Sequence, residues 1–258
     1  MALLLSFVAA VFSMWVRAPA GVAPPLGAAA QVAGAVHRAG TPRHVEAARG
    51  LLAAMTPEKM EYRHRPSVVV FEVGREECRT DCSGFITAVL RHSYGLSDED
   101  VRRWLKSKRP VARTYARATR EGQGFSRVEK VEEWRAGDVL AVEYPREAED
   151  TGHTMIVDAR PLRRDATAPL LDGTVQYEVT VIDVTGSPHS RDTRRVGGMT
   201  HAGLGKGVIR VYADAEGRAA GYTWGLGARS ELRRQGEREM VAGRWVGMRG
   251  QGNGARSR

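Results

Sequence analysis

Hydrophobic residues change their spacing along the chain, which divides it into a helical first part and a strand-rich second part. Residues 45–55 carry an apolar side chain every three or four positions, and this spacing predicts an amphipathic helix. Beyond Gly137 the spacing shortens to two, which is typical of strands. The strands predicted there cover residues 139–142, 153–157, 177–184, 208–212 and 222–224. Helices followed by strands indicate an α+β fold with an antiparallel sheet.

A second helix is predicted to begin directly after Asp81. Four apolar residues between positions 85 and 90 share one helical face, and aspartate is a favoured residue for capping a helix N-terminus. Cys82 therefore lies in the first helical turn, where the helix dipole stabilises a thiolate. Gly84, two residues later, is expected to leave room for a substrate beside the backbone.

The N-terminal segment indicates export. Residues 3–16 form an uninterrupted apolar run, shorter than the roughly 20 residues that span a bilayer, and sequence rich in Ala, Gly and Pro follows. We predict a signal peptide or N-terminal anchor at residues 1–30, and hence a protein of the periplasm, the cell envelope or the extracellular space. The other predicted regions are an N-terminal helical segment (31–60), the main domain (61–226) and a disordered Arg- and Gly-rich tail (227–258).

Charge and cysteine content narrow the possible partners. The chain has 39 Lys and Arg residues against 30 Asp and Glu residues, a net charge of +9 that favours an anionic partner. No nucleic acid is expected, because the arginines are dispersed and no recognition motif is present. The basic segment 101–130 is predicted to be a solvated loop or helix.

Two cysteines are too few for a disulfide framework or a four-cysteine zinc site, so we predict no metal and no cofactor. Membrane contact is expected only through an uncleaved N-terminal segment.

Candidate chemistry centres on a cysteine and a histidine. Cys82 needs a nearby imidazole to act as a nucleophile, and His153 begins a predicted strand, which places its ring at the end of a sheet. On the next predicted strand, Val179, Val181 and Asp183 share a face. A carboxylate at that strand end can orient the imidazole through its second nitrogen.

Two points stay open at the level of the sequence. The segment after Asp183 offers other polar groups to the same site, notably Ser187, His189 and Asp192, and His189 is the main rival as orienting residue. Cys78 is expected to pack in the core. Its alternatives are a strained disulfide with Cys82 or a resolving role towards an oxidised thiolate.

Three segments resemble the NlpC-type cysteine peptidases of bacterial cell walls, which form a papain-like superfamily. DCSGF at Asp81–Phe85 resembles the start of the family's nucleophile helix. WRAGDVLAV at Trp134–Val142 and GHTMIV at Gly152–Val157 resemble two of its strands, in the same order along the chain.

The resemblance implies a papain-like fold in which the nucleophile helix packs on an antiparallel sheet. It implies that Cys82 is the nucleophile, His153 the base and Asp183 the orienting residue. Tyr62 and Ser83 are the corresponding candidates for substrate binding.

Together these observations predict an exported cysteine hydrolase. It is expected to cleave amide or peptide bonds through a thioester, in peptidoglycan stem peptides or a related substrate. The alternative is a non-catalytic papain-like module that binds an anionic wall polymer or a protein partner through its basic surface.

Overall fold

Alternating apolar residues in the second half of the chain build one large antiparallel sheet. The computed structural model describes residues 40–248, and every element named below lies within this range. In chain order the strands are β1 (Met60–Tyr62), β2 (Val68–Val70), β3 (Glu77–Thr80), β4 (Phe125–Arg127), β5 (Val139–Glu143), β6 (Gly152–Val157), β7 (Leu162–Arg164), β8 (Val175–Thr185), β9 (Arg195–Val196), β10 (Met199–Thr200), β11 (Gly203–Ala213), β12 (Ala219–Thr223), β13 (Arg233–Arg234) and β14 (Met240–Trp245).

The helices lie mainly before the large sheet in the sequence. They are α1 (Arg43–Ala53), α2 (Cys82–Tyr94), α3 (Asp98–Leu105) and α4 (Ala112–Arg120), with short 3-10 helices at Pro57–Lys59 and Val131–Glu133. The predicted helix at residues 45–55 is confirmed as α1. The predicted start of the second helix is also confirmed, since α2 begins directly after Asp81.

The large sheet contains nine strands. Eight follow the order β13-β12-β11-β8-β6-β5-β14-β4, β7 adds to β8, and neighbouring strands are antiparallel. Strands β1, β3 and β2 form a separate small sheet, and β9 pairs with β10. All five predicted strands belong to the large sheet, as β5, β6, β8, β11 and β12.

The two faces of the large sheet bury separate apolar clusters, because successive side chains of a strand point to opposite sides. Helices α1 and α2 pack on one face with Val139, Ile156 and Ile182, and α4 packs there as well. The opposite face buries a second cluster, which includes Leu140, Val142, Met155, Val157, Val179, Val181, Ile209 and Val211. The sheet is curved enough for β12 to contact β14. Gln235 links the two strands, because its backbone N–H donates to the carbonyl oxygen of Ala220 and its side chain forms hydrogen bonds with the backbone of Met240.

The predicted papain-like α+β fold, with a nucleophile helix packed on an antiparallel sheet, is wrong. Within residues 40–248 the chain forms fourteen strands and only four α-helices, so the architecture is mainly β. Helix α2 does contact β6 and β8, but it is one of few helices beside a dominant sheet. The physical reason is strand length: β8 and β11 each extend over eleven residues, beyond the limits that apolar alternation indicated.

Two regional predictions also need correction. Residues 227–258 were expected to form a disordered tail, yet β14 lies inside the large sheet between β5 and β4 and buries Met240, Val241 and Ala242. The basic segment 101–130 is not simply solvated, because α4 and β4 bury Tyr115 and Phe125 in the core.

The predicted signal peptide or anchor lies outside the described residues, as do residues 31–39 of the predicted helical segment. Within residues 40–248, no helix combines the length and the apolar character that a membrane crossing requires.

Candidate active site

The start of α2 fixes the position of the candidate nucleophile. Asp81 caps the helix by accepting a 2.7 Å hydrogen bond from the backbone N–H of Gly84. The Ser83 hydroxyl donates to the same carboxylate at 3.0 Å. Because Phe85 and Ile86 anchor the helix in the core, Cys82 is held in the first turn with 5% of its surface exposed.

Gly84 has a different role from the predicted one. A Cβ at this position would collide with the side chain of Thr80 and approach Ser67 within 3.3 Å. The space that a glycine leaves here is therefore filled by the protein itself. The residue lets the end of β3 pack closely against α2.

His153 lies at the start of β6, beside Cys82 and Asp183. Its Nε2 lies 2.6 Å from Oδ2 of Asp183, and the Cys82 thiol lies within hydrogen-bonding reach of the ring. Nδ1 is thus the ring nitrogen left for the thiol. The ring of Trp224 packs edge-on against the imidazole at 5.2 Å. Gly152 allows this placement, since its φ is +139° and a Cβ there would collide with the carbonyl oxygen of Val142.

The electrostatic surroundings favour a protonated His153. Burial lowers its pKa, but the negative charge of a Cys82 thiolate and the contact with Asp183 outweigh that effect and raise the pKa to about 10. At neutral pH the ring is therefore an imidazolium in contact with the Asp183 carboxylate.

Asp183 is fully buried and bonded on several sides. Besides His153, its Oδ2 faces Nε2 of His189 at 2.9 Å, and its Oδ1 forms an ion pair with Arg194 at 2.9 Å. Burial raises the pKa of the carboxyl group, but His189, Arg194 and His153 together hold it well below its usual range. As predicted, alternation along β8 places Asp183 on the same face as Val179 and Val181.

Asp183 and His189, the two candidates for the orienting residue, lie one behind the other next to His153. Asp183 touches the His153 ring, whereas His189 bonds to Asp183. His189 also faces the carbonyl oxygen of Trp224 through Nδ1 at 3.1 Å. Both of its ring nitrogens thus face oxygen acceptors.

The segment from His189 to Arg194 forms a second layer behind Asp183. Asp192 accepts hydrogen bonds from the backbone N–H groups of His189 and Arg194, at 2.7 and 2.9 Å, and pairs with the Arg194 guanidinium at 2.7 Å. Gly205 lies directly opposite Asp183 in the β8–β11 pairing, and a Cβ there would lie 2.5 Å from the Arg194 side chain. The missing side chain provides the space for the guanidinium.

Sequence reasoning missed Arg194 and Trp224. The signal that could have revealed Arg194 is the alternation of Gly203, Gly205 and Gly207, which leaves the first half of one face of β11 without side chains. A buried chain segment must cover such a face.

The remaining predicted residues lie around Cys82. Tyr62 is half-buried, and burial followed by the nearby charge of Cys82 raises its pKa. Ser83 is buried in the capping turn, where its hydroxyl bonds to Asp81. Cys78 is fully buried and free, and it packs in the core as expected, with no disulfide to Cys82. Burial and Glu77 raise the pKa of Cys78 to about 12.

One group within the described residues has a donor set that a metal could use. His153, Asp183 and His189 each offer one ligand atom, and these atoms lie within 4.8 Å of one another. Two histidines and a carboxylate are a donor set known for transition metals. As folded, however, both Nε2 atoms are hydrogen-bonded to the carboxylate, and Arg194 already neutralises it. A cation would have to displace these contacts. The prediction of a metal-free site stays a prediction.

Comparison with known proteins gives one informative relative. The chain is 34% identical over 174 residues to the "Uncharacterized protein R653" of Acanthamoeba polyphaga mimivirus, a match that covers 64% of this chain and 77% of the viral protein. No known protein-family profile matches the chain. No solved structure matches it either.

Proposed function

The chain belongs to the same family as this uncharacterized viral protein, and from the site itself we propose that it is a cysteine hydrolase that cleaves an amide bond through a thioester. The observation that carries the proposal is the contact chain from Cys82 through His153 to Asp183. A nucleophile, a base and an orienting group in mutual hydrogen-bonding reach are the arrangement that covalent acyl transfer requires.

Acylation begins with the Cys82 thiolate. Its sulfur attacks the carbonyl carbon of the substrate, and the carbonyl oxygen takes up the negative charge. The backbone N–H of Cys82 lies at the first position of α2, where no intrahelical acceptor exists, so it is placed to donate to this oxyanion. When the carbon–nitrogen bond breaks, the His153 imidazolium gives its proton to the leaving amine, and a thioester remains on Cys82.

Deacylation reverses the role of His153. The neutral imidazole takes a proton from a water molecule, and the oxygen of that water attacks the thioester carbon. The carbon–sulfur bond then breaks, which releases the acid and restores the Cys82 thiolate. Asp183 keeps the ring oriented and stabilises its positive charge in both steps, while His189 and Arg194 hold Asp183 as a carboxylate.

The substrate and the compartment are proposals from the motif resemblance. DCSGF, the GD-containing segment and the GH-containing segment resemble NlpC-type peptidases, so a peptidoglycan stem peptide is the first substrate to test. Export to the cell envelope fits that substrate and the apolar N-terminal run. The alternative function is a non-catalytic module that binds an anionic wall polymer or a protein partner, for which the net charge of +9 is the supporting observation.

The test is incubation of the purified protein with purified sacculi, followed by mass analysis of the released fragments. We expect soluble peptides with a new carboxyl terminus, and none from Cys82→Ala or His153→Ala protein. Cys78→Ala is the matched control, because it removes the other thiol from the core and should retain activity. Fragments released equally by Cys82→Ala would refute the mechanism. Binding to sacculi without release, equal in wild type and Cys82→Ala, would favour the non-catalytic alternative.

A further inference from the structure

A polar groove lies beside the first turn of α2. Its cavity volume is about 630 Å³, a size that suits a small ligand or a short stretch of peptide. Its lining includes Asp81, Ser83 and Gly84 from the start of α2, and residues 108–111. We call this cavity the basic groove.

The basic groove carries more positive than negative charge. Four of its lining residues are Arg or Lys and two are Asp. One arginine is neutralised, since Arg91 pairs with Asp98 at 2.5 Å. Arg109 is partly neutralised by Asp81 at 3.9 Å and also donates to the backbone carbonyl of His64.

Two cations of the groove lack an acidic partner. Arg65 and Lys108 are exposed, and neither forms an ion pair within residues 40–248. Basic side chains that line a concave surface without counter-charges attract an anionic group, and the low-dielectric walls of a cleft strengthen this attraction. The groove therefore has the charge of an anion-binding site.

The groove is lined by the two sequence neighbours of the candidate nucleophile. His64 lines the groove and packs edge-on against Tyr62, with ring centroids 5.6 Å apart. Tyr62 is half-buried, and burial followed by the charge of Cys82 raises its pKa. In the sequence, Asp81 and Ser83 flank Cys82 directly and both face the groove. The groove therefore lies next to the turn that carries the candidate nucleophile.

We propose that the basic groove binds a carboxylate on the acyl side of the substrate, so that the preferred substrates are acidic peptides or amides. The inference rests on the proposed hydrolase function for the bond that is cleaved. It adds the substrate class and assigns Arg65 and Lys108 as specificity residues.

The test uses peptidyl chloromethyl ketones, in which the Cys82 sulfur displaces chloride and forms a thioether. Three probes carry Glu at the first, second or third residue from the reactive carbon, and three matched probes carry Gln there. The measured quantity is the second-order rate of Cys82 labelling, followed by intact mass. We compare wild type, the groove variant Arg65→Gln/Lys108→Gln and a control, Arg160→Gln/Arg163→Gln, that removes the same charge from exposed positions outside the groove.

For at least one position we expect the Glu probe to label wild type about fivefold faster than the Gln probe at low salt, the size expected from two partly exposed ion pairs. The preference should disappear in the groove variant, persist in the control variant and weaken as salt is added. Equal rates at all three positions would overturn the proposal, and so would a preference that survives in the groove variant.

Hydrolysis of the corresponding peptide amides separates the two proposals. If no amide is cleaved while labelling still prefers Glu through the groove, the hydrolase proposal fails and the groove assignment stands. If amides are cleaved with no preference for Glu, the groove assignment fails and the hydrolase proposal stands.

Discussion

The two cysteines lie four residues apart in the sequence but in opposite chemical environments. Cys78 is fully buried in the apolar core, and burial raises its pKa to about 12, which keeps it a thiol at neutral pH. Cys82 lies at the start of α2, beside His153. Only a thiolate reacts as a nucleophile, so the environment decides which cysteine is reactive.

We predict that iodoacetamide alkylates Cys82 alone in the native protein at pH 7, because Cys78 is both inaccessible and protonated. Peptide mass mapping after short exposure would measure the label at each site. His153→Ala should slow the labelling of Cys82 by about tenfold or more, since the imidazolium that stabilises the thiolate is lost. Cys82→Ala serves as the control and should take up label only after unfolding. Equal labelling of both cysteines in folded protein would show that Cys82 is not activated.

The protonation of His153 sets an alkaline limit for the proposed reaction. Its pKa is raised to about 10, so the imidazolium needed to protonate the leaving amine is present at neutral pH and is lost as the pH rises through about 10. The raised pKa of His153 also stabilises the folded state. This contribution to the free energy of unfolding is complete below the unfolded pKa of about 6.5, and it is lost as the pH rises through the folded pKa of about 10.

We therefore predict that hydrolysis falls as the pH rises through about 10. Titration of the His153 ring protons by NMR would check the assignment, because Cys82→Ala removes the thiolate and should lower the midpoint. An unchanged midpoint in Cys82→Ala would contradict the coupling between the two side chains.

At the scale of elements, the segment from His189 to Arg194 packs against β8 and stabilises the end that carries Asp183. Arg194 is fully buried and pairs with both Asp183 and Asp192, at 2.9 and 2.7 Å. Its removal would leave two carboxylates in the interior without their shared cation, and breaking a buried ion pair in this way is strongly destabilising.

We predict that Arg194→Leu lowers the free energy of unfolding by about 3–5 kcal/mol, measured by urea denaturation. Arg194→Lys should cost less, because it keeps the charge and loses only the forked geometry. Arg191→Leu is the matched control: this exposed arginine of the same segment pairs with Glu178 at the surface, and its loss should cost about 1 kcal/mol or less. Equal effects of Arg194→Leu and Arg191→Leu would show that the buried cation is not needed.

Elements were predictable where their signals are local. Helix α2 was found because a capping Asp81 precedes apolar residues at helical spacing, and both signals lie within ten residues of sequence. The first half of β11 was missed, since GLGKG at 203–207 shows no apolar alternation and becomes a strand through pairing with β8 and packing against Arg194. β14 was missed for a similar reason: its partners β4 and β5 lie about a hundred residues earlier, and its flanks are rich in Arg.

For the whole molecule, the sequence predicted which candidate residues come together better than it predicted the fold. Cys82, His153 and Asp183 come from α2, β6 and β8, and each was placed by a short motif or by a strand end. The fold class depends on which distant strands pair, and no short segment encodes that. Asp183 does lie at the end of β8, but it is completely buried.

This burial makes Asp183 important for folding as well as for the proposed catalysis. Asp183→Ala would leave His189 and Arg194 beside a cavity without their counter-charge, so we predict a loss of about 3–5 kcal/mol in the free energy of unfolding. Asp183→Asn should be milder in both stability and activity, because the amide oxygen still accepts a hydrogen bond from His153. Cys82→Ala should have the same free energy of unfolding as wild type. The comparison separates a residue needed only for catalysis, Cys82, from one needed for both catalysis and folding, Asp183.

Activity measurements on the same variants test whether the three residues act as one unit. Cys82→Ala should abolish hydrolysis, and His153→Ala should lower kcat by about 100-fold or more, the usual contribution of a general acid and base. The double variant should be no less active than Cys82→Ala alone, since members of a catalytic unit are not additive. If Asp183→Ala remained fully active while His189→Ala was inactive, His189 would be the orienting residue, and the contact between His153 and Asp183 would serve the fold alone.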